Sequence, residues 1–164
     1  MNAVTRTQPT GFTIVEVVMA MAMISVALLA LMSTVISTMT LVEVNRQDSL
    51  AMNAARNKVA EMAAKPFDKL FSSFRGHTFP VAGLQRGNGA NPGRVVFPQT
   101  GNQLSETVTD RNLLMPRDLN LDGDASDNNV STEYELLPVK IVIDWDTVQG
   151  ARTIEFNIVL TNYK

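Results

Sequence analysis

The chain has 164 residues, a length that suits one domain with an appendage. It carries a net charge of −2, and beyond Pro66 twelve Asp and Glu stand against nine Lys and Arg. That acidic balance argues against a nucleic-acid-binding head, which would present a basic patch. With no cysteine, no disulfide can staple the loops, so something else must hold them.

The first eleven residues form a polar leader, Met1–Gly11, with Arg6 as its one charged side chain. An apolar block follows at once. Phe12 to Met32 is 21 residues, enough to cross about 30 Å of hydrocarbon as a helix. A secretory signal peptide places its cleavage site after the apolar stretch, whereas here the one plausible site, Gly11, lies before it. Cutting there would remove the leader and leave the anchor on the mature chain. Positive charge on the short N-terminal side favours a cytoplasmic N-terminus and an exported C-terminus. Within the block stands a single carboxylate, Glu16, with no further charge until Glu43. A lone acid in a bilayer core is costly and marks function by default. If ionised it needs a partner, and otherwise it neutralises.

No Gly or Pro occurs between Gly11 and Pro66, so one helix is predicted through residue 65, roughly 80 Å long at 1.5 Å per residue. Its second half reads as amphipathic. Leu41, Val44, Ala51, Ala55, Val59 and Met62 form an apolar stripe interrupted by Asp48, with Arg46, Arg56, Lys58 and Glu61 on other faces. Ser33–Thr40 is rich in β-branched and hydroxyl residues of poorer helix propensity.

The order Gly11-Phe12-Thr13-Ile14-Val15-Glu16 followed by the apolar run resembles the class III signal of type IV pilin-like proteins. That family includes major and minor pilins, type II secretion pseudopilins and competence pilins. The resemblance covers residues 1 to 40. It implies that a prepilin peptidase cuts after Gly11 and methylates the new amino terminus at Phe12. It also implies that Glu16 pairs with the N-terminal amine of a neighbouring subunit in a filament core. The implied partners are other pilin subunits, the peptidase, an inner-membrane assembly platform and, before assembly, membrane lipid. The implied location is the bacterial inner membrane, single pass with the C-terminus outside, and then a pilus or periplasmic filament. The implied fold is α+β, with a long N-terminal helix packed against a C-terminal antiparallel sheet. Two features depart from the family pattern. Ser33 stands where pilins often carry a helix-breaking proline, and the disulfide that closes a loop in many major pilins is impossible here.

The domain reading is leader 1–11, helix 12–65 with 12–32 as the membrane or filament-core segment, and exported head 66–164. In the head, Phe67–Phe74 is predicted as a short helical turn pressing aromatics inward. Residues 76–102 hold six glycines and three prolines, predicting a long loop with at most a short strand at Arg94–Phe97. His77, the only histidine, reads as a loop residue and not as a ligand. Two strands close the chain. Val139, Ile141, Ile143 and Trp145 alternate on one, Ile154, Phe156, Ile158 and Leu160 on the other, and Asp146–Ala151 joins them as a hairpin. This terminal hairpin resembles that of minor pilins of the PilV kind.

Asp118-Leu119-Asn120-Leu121-Asp122-Gly123-Asp124 matches the first half of an EF-hand calcium loop. Asp118, Asn120 and Asp122 offer side-chain oxygens, Asp124 a backbone carbonyl, and Gly123 the sharp turn. Asp127, Glu133 or Glu135 would complete the shell, because the twelfth position is Asn129 and no bidentate glutamate stands there. The competing reading is an acidic turn in solvent. No nucleophile–base pair, phosphate loop or paired catalytic acid stands out, so the chain does not read as an enzyme. The leading functional reading is a structural minor pilin. A type II secretion pseudopilin, or a competence or adhesive pilin that binds DNA or a surface ligand, are the alternatives.

Overall fold

The computed structural model describes residues 11–162. The leader residues 1–10 lie outside them. The longest element is helix α1 (Ile14–Ala63), 50 residues without a break. Thr13 caps it: its carbonyl accepts from the Glu16 and Val17 amides, and its hydroxyl accepts from the Glu16 amide at 3.3 Å. Thr-x-x-Glu is the sequence form of a capping box, and Glu16 falls in the first turn, where the helix dipole favours an anion.

Chain compactness divides α1 between two units, one ending at Val44 and the other beginning at Asn45. In the first unit every residue from Gly11 to Glu43 is exposed. The soft stretch Ser33–Thr40 stays helical. Thr34, Ser37, Thr38 and Thr40 each donate to the carbonyl four residues back, which satisfies the hydroxyls within the helix and needs no water.

The second unit is an α+β domain in which the C-terminal part of α1 packs against an antiparallel sheet. After α1, a 3-10 turn (Phe67–Lys69) leads into α2 (Leu70–Phe74), which buries Leu70, Phe71 and Phe74. The sheet comprises β1 (Thr78–Phe79), β2 (Gly93–Val96), β5 (Leu136–Thr147) and β6 (Gly150–Thr161) in the order β1-β2-β5-β6. The short β3 (Gln99–Thr100) and β4 (Gln103–Leu104) pair separately. The predicted long loop thus contains strands at both of its ends, and β2 begins one residue before the predicted strand. Gly93 is there because its partner across the β1–β2 pair, Phe79, lays its ring over it: a Cβ on Gly93 would lie 2.4 Å from that ring.

One face of β5, formed by Leu137, Val139, Ile141, Ile143 and Trp145, is fully buried against Ala51, Ala55 and Met62 of α1 and the α2 aromatics. The Trp145 indole donates to Gln47 Oε1 at 3.0 Å, and Arg152 pairs with Asp48 at 3.2 Å. These bonds explain why two polar residues, Gln47 and Asp48, face the sheet. Two details of the predicted stripe are corrected. Leu41 remains exposed, and Lys58 is 9% exposed, not on the outer face. The Lys58 ammonium lies 4.6 Å from the centre of the Phe79 ring and donates to Glu61 at 2.6 Å, so the charge meets both the face of the ring and a carboxylate. Glu61 is held below the usual carboxylate range by that hydrogen bond.

The other face of the sheet is covered by the segment after β4. A 3-10 turn (Arg111–Leu113) lies against β5 and β6. Lys140 pairs with Asp110, Asn112 donates to Glu155, and Val142 is buried.

Candidate assembly and metal sites

Gly11, Phe12 and Thr13 precede the helix in non-helical conformation. A Cβ on Gly11 would meet nothing within 4 Å, and Phe12 is 83% exposed. Both Gly11 and Phe12 are thus exposed among the described residues. Glu16 follows one helical turn later, also exposed. The helix behind it is long and apolar enough, by length and composition, to cross a membrane. The structure thus brings Phe12 and Glu16 to one end of one helix, with apolar surface on all sides behind them.

The predicted calcium loop is a chain of Asx turns. Asp118 accepts from the Leu121 amide at 2.6 Å and the Gly123 amide at 2.9 Å. Asn120 accepts from the Asp122 amide, Asp122 from the Asp124 amide, and Asp124 from the Ser126 amide and hydroxyl. Those two bonds from Ser126 hold the Asp124 carboxyl below its ordinary range. Gly123, at φ +105°, supplies the left-handed turn. Asn120 also donates to Asp122 and Asp127, which places Asp127 beside the loop. Glu133 and Glu135 are tied to the fold through their backbone amides. Among the described residues, no group of three or more His, Cys, Asp and Glu side chains is placed to hold a metal ion.

Sequence reasoning missed the residue that anchors this loop. Glu106 is fully buried, accepting from the amides of Leu119 (2.6 Å), Asn120 (3.4 Å) and Asp127 (3.3 Å). One carboxylate thus ties both ends of the acidic loop to the core, the role a disulfide would otherwise fill. An isolated glutamate between Ser105 and Thr107 carries no periodicity or motif that reveals this. His77 sits before β1, 3.5 Å from the Lys58 ammonium and ringed by Phe74 and Phe79.

No family model, curated protein or solved structure matches this chain.

Proposed function

We propose that this chain is a structural subunit of a type IV pilus-like filament, a minor pilin. Prepilin peptidase matures it between Gly11 and Phe12, and the inner-membrane platform assembles it. The observation that carries the reading is the end of α1: an exposed Gly11 and Phe12, then Glu16, then a helix exposed and apolar on every side. Such a surface is unfavourable in water and suits lipid before assembly and neighbouring helices after it. Cleavage creates an ammonium at Phe12, the charge that a carboxylate in apolar surroundings requires. The sheet domain is then the part displayed outside the membrane.

Processing is the direct test. Replacing Gly11 with tryptophan should leave a slower-migrating precursor in membranes of cells expressing the peptidase, while the wild-type chain yields a mature form beginning at methylated Phe12 by mass spectrometry. Mature wild-type protein that retains Met1 would overturn the reading.

A second reading concerns the acidic loop. Asp118, Asn120 and Asp122, with Asp127 brought alongside by Asn120, are the oxygen donors that would hold one calcium ion. Each carboxylate keeps lone pairs beyond those engaged by the loop amides, and a hard divalent cation would relieve their mutual repulsion.

A further inference from the structure

We infer that the free edge of β6 is an acceptor for an extended segment of another protein, which adds to the sheet as a fifth strand. The register defines which groups are free. The Asp144 amide donates to Pro92, so the even-numbered residues of β5 bond towards β2. The odd-numbered ones therefore bond towards β6, where Leu137 faces Leu160 and Ile143 faces Ile154. The amide of Asn162 donating to Glu135 keeps the same parity. The amides and carbonyls of Ala151, Thr153, Glu155, Asn157, Val159 and Thr161 consequently point away from β5, and none takes a backbone partner among the described residues. Twelve residues pair with β5 without a bulge or proline in β6. Bulges and prolines are two of the devices that blunt natural edges; the one inward-pointing charge of β6, Arg152, lies at its start and is taken up by Asp48.

Two side-chain features lie along the same edge. On the helix-facing side, Ile154, Phe156, Ile158 and Leu160 pack on the core but are only half-buried, leaving an apolar stripe that a neighbouring strand would cover. On the other side, a hollow of about 130 Å³ opens between Asn112–Leu114 and Asn157–Val159. One wall is Leu114, 67% exposed and held at φ 56°, a conformation uncommon for leucine. Glu155 stands beside this hollow, accepting from Asn112 at 3.0 Å and lying 4.0 Å from the Lys140 ammonium, with its side chain 39% exposed and open to a further cation.

The partner chemistry follows. A strand running antiparallel to β6 would carry apolar residues at alternate positions against the stripe. On its other face it would carry a cation opposite Glu155 and, four residues before that, an aliphatic side chain opposite Val159 at the hollow. A second copy of this chain fits poorly. Its β1 exposes only Thr78 towards the edge, because His77 and Phe79 bond towards β2. Its β6 has one cation, Arg152, which lies on the opposite face from Glu155 and never stands across from it. The site is therefore built for a different chain.

A synthetic peptide tests this. It copies residues 150–161 with Asn157→Lys and Thr153→Leu, which places lysine opposite Glu155 and leucine opposite Val159. It is added to the full chain in detergent micelles while amide hydrogen exchange is followed residue by residue. The odd-numbered β6 amides should slow at least tenfold at saturation, with the even-numbered ones unchanged. The same peptide N-methylated at its odd-numbered amides should have no effect. The full chain carrying Glu155→Lys should bind the peptide roughly twofold to fivefold more weakly, as expected of one cross-strand charge pair. Unchanged exchange at the odd positions would overturn the inference, as would equal slowing by the methylated peptide. Protection of those amides that rises with protein concentration and needs no peptide would assign the edge to a second copy and overturn it too.

Discussion

Glu16 is the residue on which the assembly reading turns, and its two local roles have different sizes. As an acid in the first turn of α1 it is worth a few tenths to about 1 kcal/mol to the helix. As one partner of a buried ion pair its loss would cost about 3–5 kcal/mol. Glu16→Ala should therefore reduce incorporation into filaments strongly while the protein still accumulates in the membrane, and Glu16→Gln should fail similarly because the amide cannot neutralise an ammonium. Immunoblots of sheared filaments against membrane fractions read this. Wild-type incorporation of either variant would leave Glu16 as a helix-capping residue. Lys58 teaches the complementary lesson about single positions. Its charge predicted an outer face, yet its ammonium lies over the Phe79 ring and pairs with Glu61. Nothing in the local sequence announces Phe79, 21 positions away.

Among the elements, the β1–β2 pair and the charged side of β5 make separate predictions. Gly93→Ala would drive a methyl into the Phe79 ring and should destabilise the domain by about 1–3 kcal/mol, as overpacking does. Phe79→Leu in the same chain should recover part of that loss in thermal melts, because the clash is with the ring. Asp144 is pushed upward by burial, but Arg94, Thr153 and Arg86 outweigh this and hold its carboxyl below the ordinary 3.8. Asp110, bonded by Lys140, is lowered likewise. A carboxylate with a depressed folded-state pKa contributes stability above its unfolded value, and that stability is lost as pH falls through the folded one. Stability should thus be flat from neutral pH to about 4.5 and fall below 3.8. Asp144→Asn should lower the plateau and shallow the acid fall. An unchanged acid limb in that variant would mean that the pairs with Arg94 and Arg86 are absent in solution. The hairpin that carries these residues was legible because alternation has a period of two and runs long in β5 and β6. The short strands β1, β3 and β4 were not, because two residues cannot display a period and their pairing depends on partners distant in sequence.

At the scale of the whole molecule, an apolar helix leading into an α+β domain could be read from the uninterrupted run to Pro66 and the terminal alternation. The anchoring of the acidic loop could not. It depends on Glu106, whose three amide partners lie 13 to 21 positions away. That loop is where a ligand would act on global stability, since anything that binds only the folded state stabilises it by mass action. If calcium binds, the melting temperature of the full chain in micelles should rise with millimolar calcium and fall with chelator, and Asp122→Ala should abolish the difference. Identical melts across calcium, with no calorimetric heat, would make the segment an acidic turn held by Glu106. Such measurements need no added label. Trp145 is the only tryptophan in the chain, is 1% exposed, and bonds from strand to helix through Gln47. Its emission is therefore an intrinsic optical gauge of whether helix and sheet remain docked: a red shift would signal their parting, and events confined to residues 11–44 would leave the colour of the light unchanged.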